Sequence, residues 1–421
     1  MLIVGLVVLV LIAPARALAQ VTGSAGPGTL SALVAELDQH NPALQAARRE
    51  ADASVARIRP AGTPPDPVIR AGYMGGFLRP PFWPSVSTPD GFWMLRGSQA
   101  IPYPGKLKLR SAIASTEAEQ ARLSAEQTHL DLVSELKTAY LEYAYMNRSL
   151  EIVGRNKQLL DQFRQIAESQ FSVGKGQQQD VLKAQIEISL LLERLAVLEQ
   201  RRGVLRRQIN ALFNRESEAT LDPQLLYRAA STVPSLDELR QLAERQYPAL
   251  LRDRKVIDRA EQALGLAEKE RLPDFAVDLT WQRFVGAMPS MLGVEFMVNV
   301  PIYRNRRLTP LVAEAGSMLE AGRQARDATL TTATARLAEL HLEATTSQQL
   351  VALYSDSVLV QARLALESSV SAYQVGTVDF LTLLTNFNTV LTYEVSLEEQ
   401  RRRYEQALAQ VEPLTGSQLI E

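Results

Sequence analysis

The residues that could do chemistry are few and scattered along this chain. Its three histidines fall in separate helix-forming stretches, with no pair at metal-site spacing: His40, His129 and His341. The glycine-rich run that begins at Gly174 lacks the residue order of a phosphate-binding loop, and no G-x-S-x-G nucleophile motif occurs. The sequence therefore predicts no enzyme, no cofactor and no metal site.

Composition excludes further classes of function. The 421 residues are 46% hydrophobic and carry a formal net charge of −2, which is typical of a folded protein. Because the charge is close to neutral, nothing favours a nucleic-acid partner. No cysteine is present, which excludes disulfides, thiolate metal sites and cysteine nucleophiles.

The N-terminus has the pattern of a secretory signal peptide. Residues 2–13 form an apolar run that is too short to span a bilayer, and Ala17-Leu18-Ala19 follows as an A-x-A cleavage pattern. We therefore predict a signal peptide at residues 1–19 and export of the mature chain. A start further upstream stays open, because no Lys or Arg precedes the apolar core. No later run of 18 apolar residues occurs, so no transmembrane helix is expected.

An internal repeat organises the rest of the chain. The stretch SQFSVGKGQQQDVL at residues 169–182 returns as SAYQVGTVDFLTLL at residues 371–384, with a Val-Gly pair at the same place in each. Prolines are absent from residues 106–221 and 312–411, where long helices can therefore run. Each half is predicted to read helix, strand, strand, very long helix, Val-Gly break and helix.

The helices fall into long and short members. We predict long helices at Lys106–Val173 and Arg304–Val375, each about 100 Å long at a rise of about 1.5 Å per residue. Heptad spacing of apolar residues indicates coiled-coil packing, although a soluble helical bundle has the same periodicity. The short helices have summed lengths that suit end-to-end stacking beside each long one: 29–59, 177–213, 236–271 and 379–411.

The segments 66–101 and 273–301 are predicted to hold four strands. Residues 273–286 and 291–301 alternate between apolar and polar side chains, and aromatic pairs at 82–83 and 92–93 lie near a loop. This pattern is typical of a transmembrane β-barrel, but a soluble sheet packed on helices alternates in the same way. A closed membrane barrel takes at least about eight strands, so a barrel would require several chains.

Over residues 29–413 the chain resembles the TolC family of outer-membrane efflux proteins. The likeness rests on the repeat, on both Val-Gly breaks, and on SQAIPYPGKLKLR and VNVPIYRNRR after the second strand of each half. The first of these runs is most similar to the heavy-metal branch, such as CusC and CzcC. The resemblance implies one mainly α domain at residues 20–421, with repeats at about 29–213 and 236–413 and a linker at 214–235.

The resemblance also implies an assembly and a function. Three chains would form a homotrimer with a 12-stranded barrel in outer-membrane lipid and a coiled-coil α-barrel through the periplasm of a Gram-negative bacterium. The trimer would meet a periplasmic adaptor (a membrane fusion protein) and an inner-membrane pump, most often of the RND type. Such a protein is a passive duct of a tripartite system that exports small solutes, including heavy-metal cations. A duct for type I protein secretion and a non-transport periplasmic scaffold remain alternatives.

The resemblance assigns roles to two groups of residues. It makes the Val-Gly breaks hairpin turns at the periplasmic mouth: Val173, Gly174, Val375 and Gly376. It makes Asp180 and Tyr373 candidates for a gate, through a hydrogen bond between neighbouring tips.

Acidic positions of the family are occupied here by threonines, Thr382 and Thr385, and Asp379 is the nearest carboxylate. An Asp–Arg ion pair is not available at these positions, so hydrogen bonds would hold the gate. The alternative role for Asp180 is to cap the helix that it begins.

Overall fold

A computed structural model describes residues 30–74, 91–221, 233–285 and 288–420. The predicted signal peptide, the aromatic pair at 82–83 and residues 222–232 of the predicted linker lie outside this part of the chain. Within it, no helix combines the length and the apolar character needed to cross a membrane.

The first half follows the predicted order of elements. Helix α4 runs unbroken through 67 residues and ends one residue before the predicted boundary. The elements of this half are α1 (Leu30–His40), α2 (Pro42–Ala56), α3 (Ile58–Gly62), β1 (Val68–Met74), β2 (Phe92–Ile101), α4 (Lys106–Ser172) and α5 (Gln178–Leu212).

The second half repeats this order with two differences. It has two helices before its strands where the first half has three, although a single helix was predicted there in each half, at 29–59 and 236–271; Pro42 and Pro248 each begin a new helix. Its long helix, predicted as continuous, is α-helical only in two parts, because the π-helical segment Tyr354–Val358 divides it and a second π-helical segment, Arg304–Leu308, precedes it. The helix predicted at Arg304–Val375 is present and extends to Gln374, and the π-helical segments are wider turns within it: Leu359 N–H bonds Tyr354 C=O, five residues back. The elements are α6 (Leu236–Gln246), α7 (Pro248–Lys269), β3 (Asp274–Phe284), β4 (Met291–Asn299), α8 (Thr309–Leu353), α9 (Leu359–Gln374) and α10 (Phe380–Thr415).

Short helices stack end to end beside the long one. The Asn41 side chain accepts a hydrogen bond from Leu44 N–H at 2.9 Å, which caps α2, and donates one to Leu212 C=O, also at 2.9 Å. A single buried amide thus joins the start of α2 to the end of α5, and α4 packs against both helices. A free N–H at the start of α2 and a free C=O at the end of α5 are thus both hydrogen-bonded.

The four strands form one antiparallel sheet in the order β1-β2-β3-β4. Leu95 lies opposite Ala71 and Trp281, and Trp281 lies opposite Leu292, so apolar side chains share one face. The other face is polar, with Ser98 opposite Asp278 and Asp278 opposite Glu295. The predicted fold class, mainly helical with a small four-stranded sheet, is confirmed.

Buried side chains concentrate in two clusters along the helices. One surrounds the stacked helix ends, where Lys137 is almost fully buried and pairs with Glu412 at 2.6 Å. The Lys137 ammonium also donates to Ile420 C=O, and Glu412 accepts from the Leu419 and Ile420 N–H groups, so this pair holds the C-terminal segment. The second cluster fills the two hairpins toward the Val-Gly breaks.

Candidate functional site

Both Val-Gly breaks have the same hydrogen-bonded turn. At the first, Gly174 has φ +76°, its N–H bonds Phe171 C=O at 3.0 Å, and Lys175 N–H bonds Gln170 C=O at 2.9 Å. This pair of bonds is the Schellman motif, which satisfies the last carbonyls of a helix and requires a left-handed residue after it. Glycine adopts that conformation without the steric cost of a Cβ atom.

The second break repeats the geometry 202 residues later. Gly376 has φ +77°, its N–H bonds Tyr373 C=O at 3.1 Å, and Thr377 N–H bonds Ala372 C=O at 3.0 Å. The two turns lie side by side, because Gln170 Nε2 donates to Gln374 C=O at 3.1 Å. The structure therefore brings the two predicted tips together at one end of the helical hairpins.

The tips present apolar side chains to solvent. Val173 is 64% exposed and Val375 is 75% exposed. Neither valine belongs to the buried cluster beneath it, so packing within this chain does not explain why an apolar residue stands at either position. An exposed apolar pair at the end of a long projection is a feature of contact surfaces.

Gly176 is a tip residue that the sequence reasoning missed. A Cβ at this position would lie 3.0 Å from both Phe171 N and Gln170 Cβ, whereas Cβ atoms at Gly174 and Gly376 would meet nothing within 4 Å. The first tip therefore closes more tightly on its own helix, and the second turn has Val378 at the corresponding position. The GKG run contained the signal, but only the folded turn shows what the second glycine contacts.

Tyr373 is buried and lies within the electrostatic influence of Asp180. The Tyr373 ring is buried and packs edge-on against Phe380, with centroids 5.5 Å apart. Its hydroxyl has no hydrogen-bond partner among the described residues. Burial and then the negative charge of Asp180 raise the pKa of Tyr373 to about 12, so this hydroxyl remains a proton donor at neutral pH.

The three remaining candidates lie at the start of α10. Asp379 is its N-cap: its carboxylate accepts from Thr382 N–H at 2.9 Å, and hydrogen bonds from Thr382 lower its pKa. Thr382 and Thr385 are exposed, and the Thr385 hydroxyl donates to Leu381 C=O at 2.8 Å. Asp180 is the third residue of α5, whose N-cap is Gln177, so Asp180 is not the capping residue but a carboxylate in the first turn of that helix, where it is favourable.

A buried carboxylate ties the hairpins together further from the tips. Glu394 of α10 accepts from Arg363 of α9 at 2.6 Å and from Arg155 and Asn156 of α4 at 3.0 Å each. Burial opposes ionisation of Glu394, but these three donors outweigh it and hold its pKa below the ordinary value. The sequence indicates this site by placing a glutamate between Val390 and Leu397 on a buried helix stripe, but it was not among the predicted site residues.

The junction between sheet and helices has its own buried charge. Lys106, the lysine of the PGKL run, is 1% exposed and contacts Asp274 at 2.9 Å, Glu270 at 3.2 Å and Leu272 C=O at 3.2 Å. Asp274 also accepts from Tyr103 N–H at 2.7 Å. One ammonium therefore fastens the start of α4 to the segment that connects α7 to β3.

Comparisons with known proteins agree with this geometry. Residues 33–214 match the family described as "Outer membrane efflux protein". Comparison with curated protein sequences finds no significant match.

Several solved structures share the fold. The outer-membrane channel OprN matches with a TM-score of 0.81 at 17% identity, covering 93% of this chain and 90% of its own. VceC from Vibrio cholerae gives 0.80 at 17% identity, covering 93% and 96%, and the transmembrane channel CusC gives 0.80 at 15%, covering 92% of each chain. The first repeat thus matches the outer membrane efflux protein family, and nearly the whole chain has the fold of outer-membrane channels.

Proposed function

We propose that this protein is a passive outer-membrane duct of a tripartite efflux system. The observation that carries the proposal is the sheet, whose apolar face stays exposed: Leu95, Trp281 and Leu292 are 46%, 39% and 69% exposed. A soluble sheet would cover such a face with helices, whereas membrane lipid covers it in a barrel. The sheet and the helices meet at the Lys106 junction, which would lie at the membrane surface.

Both outer strands of the sheet favour assembly of several chains. Among the described residues β1 and β4 each pair on one side only, and open strand edges pair readily with another copy. Three copies joined β4 to β1 would close a 12-stranded barrel without free edges. This closure supports the homotrimer, with its polar sheet face lining the lumen.

The helices carry matching apolar stripes. Because α5 belongs to the first hairpin and α9 to the second, the stripe of one copy would pack against the stripe of the next copy in an α-barrel. On α5 the exposed residues are Leu182, Ile186, Leu190 and Val197; on α8 and α9 they are Leu342, Leu353, Val360 and Leu364.

The hairpin tips would form the periplasmic mouth. The exposed Val173 and Val375 suit contact with a periplasmic adaptor, which would connect the duct to an inner-membrane pump of the RND type. Asp180 and Tyr373 would close the mouth by hydrogen bonding between neighbouring tips, because the buried hydroxyl lacks a partner within the described chain. Residues of the first tip and of the second would thus act together.

Cargo is the least constrained part of the proposal. Export of heavy-metal cations follows from the sequence likeness to the CusC and CzcC branch, but OprN and VceC match the fold as well as CusC does. A deletion strain challenged with metals and with organic toxicants, then complemented, would separate these cargo classes. Loss of secretion of a protein substrate in the deletion strain, with its return on complementation, would favour type I secretion.

A pair of arginine substitutions tests the membrane assignment. Leu279→Arg places a charge on the apolar face, where it costs about 2–4 kcal/mol at mid-membrane depth, whereas Ser98→Arg places it on the polar face. We expect the first to prevent recovery of a detergent-stable oligomer from the outer-membrane fraction and the second to permit it. Recovery of the unaltered protein as a water-soluble periplasmic species would contradict the duct and favour the scaffold.

A further inference from the structure

Three cavities meet around Arg110 where the sheet joins the helices. One, of about 590 Å³, lies against Asn299, Tyr303 and Arg307, and a second, of about 340 Å³, runs between α7 and α8. They share Arg110, Glu270 and Leu311, so they adjoin one another. Together they fall in the size range of sites that enclose a small organic molecule.

A third cavity reaches the end of the sheet. It has a volume of about 560 Å³, shares Arg110, Asp274 and Asn299 with the first, and is lined by Ala276 and Met297 of the polar side as well as by Phe275 and Val298 of the apolar side. Ala276 and Met297 pair across β3 and β4 in the same alternation as Asp278 and Glu295. In the proposed duct the polar side is the interior, and the assignment of the site to the interior rests on that proposed function.

The larger cavity carries a cation without a counter-charge. Its two carboxylates are already occupied: Asp274 pairs with Lys106, and Glu270 pairs with Lys106 at 3.2 Å and with Arg110 at 3.3 Å. Arg307 lies in the π-helical segment Arg304–Leu308 and is exposed to the cavity, and no described carboxylate comes within ion-pair distance of it. A free guanidinium favours a planar or multidentate anion such as a carboxylate or sulfonate.

The smaller cavity is a mainly apolar trough, and the charged side chains of Arg259 and Glu314 also line it. Its walls come from α7 and α8, and Met318 is 62% exposed within the described chain. An apolar body lying there would recover the free energy of burying this surface. The apolar residues that line the trough include Val256, Ala263, Leu266, Leu311 and Met318.

We propose that this junction is a binding site for amphipathic organic anions during export. The anionic head pairs with Arg307 in the larger cavity, and the apolar body lies in the trough beside α8. Because Arg307 has no described counter-charge, the larger cavity favours an anionic head over a metal cation, which is a cargo class different from the one that the heavy-metal likeness suggests.

The test uses the purified full-chain oligomer, held in an amphipathic polymer, and isothermal titration calorimetry. 1-Naphthalenesulfonate and 1-naphthylmethylammonium share an apolar body and differ in the sign of the head. We expect the sulfonate to bind once per chain and about tenfold more tightly than the ammonium, as one charged hydrogen-bonded contact would give.

Two arginines of the same RNRR run provide matched variants. Arg307→Gln is expected to weaken sulfonate binding about tenfold, whereas Arg306→Gln, which does not line the cavity, leaves it unchanged. Ala263→Phe fills the trough and is expected to weaken both probes. Equal effects of the two arginine variants, or equal binding of the two probes to the parent protein, would overturn the site.

Membrane phospholipid shares the chemistry of an anionic head and an apolar body. Titration in lipid nanodiscs separates it from a solute: displacement of the sulfonate by added phosphatidylglycerol would assign the site to lipid and overturn the cargo proposal. Conductance of the same preparation in planar bilayers is recorded in parallel. A conducting protein that fails to bind the sulfonate refutes this site but not the duct. Recovery of the protein as a water-soluble periplasmic species refutes the duct, and with it the role of the site in export.

Discussion

The variant Tyr373→Phe, which removes only the hydroxyl oxygen, would test the proposed gate by whether the stability of the tip rises or falls. The hydroxyl is buried and has no partner among the described residues, while the ring keeps its contact with Phe380 in the variant. A buried hydroxyl without a hydrogen bond costs about 1–3 kcal/mol. If nothing pairs with it in the assembled protein, Tyr373→Phe should stabilise the tip by about 1 kcal/mol.

The gate proposal requires the opposite result. A hydrogen bond from the Tyr373 hydroxyl to the Asp180 carboxylate of a neighbouring tip would be worth about 1.5–3 kcal/mol, as bonds to charged groups are. Its loss should accelerate amide exchange at residues 169–182 and 371–384 about tenfold and raise closed-state conductance. Because the pKa of Tyr373 is about 12, the hydroxyl stays protonated across the working pH range.

Hydrogen exchange by mass spectrometry, with single-channel recording of the same preparation, measures both outcomes. Asp180→Ala should match Tyr373→Phe and leave trimer assembly intact, and the double variant should add little, because both changes remove one bond. Tyr354→Phe, a tyrosine further along the same hairpin, is the control. Slower exchange at the tips with unchanged conductance in Tyr373→Phe would refute the gate.

Three further substitutions have separate expectations. Glu394→Gln should destabilise the contact between hairpins by about 2 kcal/mol, which hydrogen exchange would show as faster exchange in α4 and α9. Because the pKa of Glu394 is lowered in the folded protein, this stabilisation is present above the ordinary glutamate pKa and is lost as the pH falls through the lowered value. Gly174→Ala should cost about 1 kcal/mol, because alanine is strained in the left-handed conformation. Gly176→Ala should weaken amide protection of the first tip more than this, because its Cβ would meet backbone atoms and the Cβ of Gly174→Ala would not. Equal effects of the two variants would contradict this prediction. Lys106→Met should lower the unfolding free energy of the junction by about 2–3 kcal/mol in denaturant titration, and Lys108→Met, at an exposed position, should not.

The sequence predicted the elements well where local rules decide. Proline-free stretches located α4 to within one residue of its end, and the repeated Val-Gly pair located both turns because a left-handed residue after a helix favours glycine. Alternation of side chains located the four strands. These features depend on neighbours in sequence, which a single chain displays directly.

Features that depend on distant partners were not predictable in the same way. Glu394 is separated from Arg155 by 239 positions, and Lys106 from Asp274 by 168, so no local pattern marks them as pairs. The π-helical segment Tyr354–Val358 also escaped prediction, since its sequence is compatible with an ordinary helix. Asp180 was weighed as a helix cap, and the structure places it in the first turn of α5, although the capping position itself is Gln177.

The two hairpins, equal in sequence layout, differ physically. The first has an unbroken 67-residue helix and a tip where Gly176 closes on the helix end. The second has a π-helical segment whose Ser355 lines the same cavity as Arg155 and Arg363, the two guanidinium groups that pair with Glu394. Since wider turns commonly mark places where helices bend, any bending between the stacked helix ends and the tips should occur in the second hairpin at this point. The Glu394 contacts join the second hairpin to α4 beside this segment, so they would resist such bending.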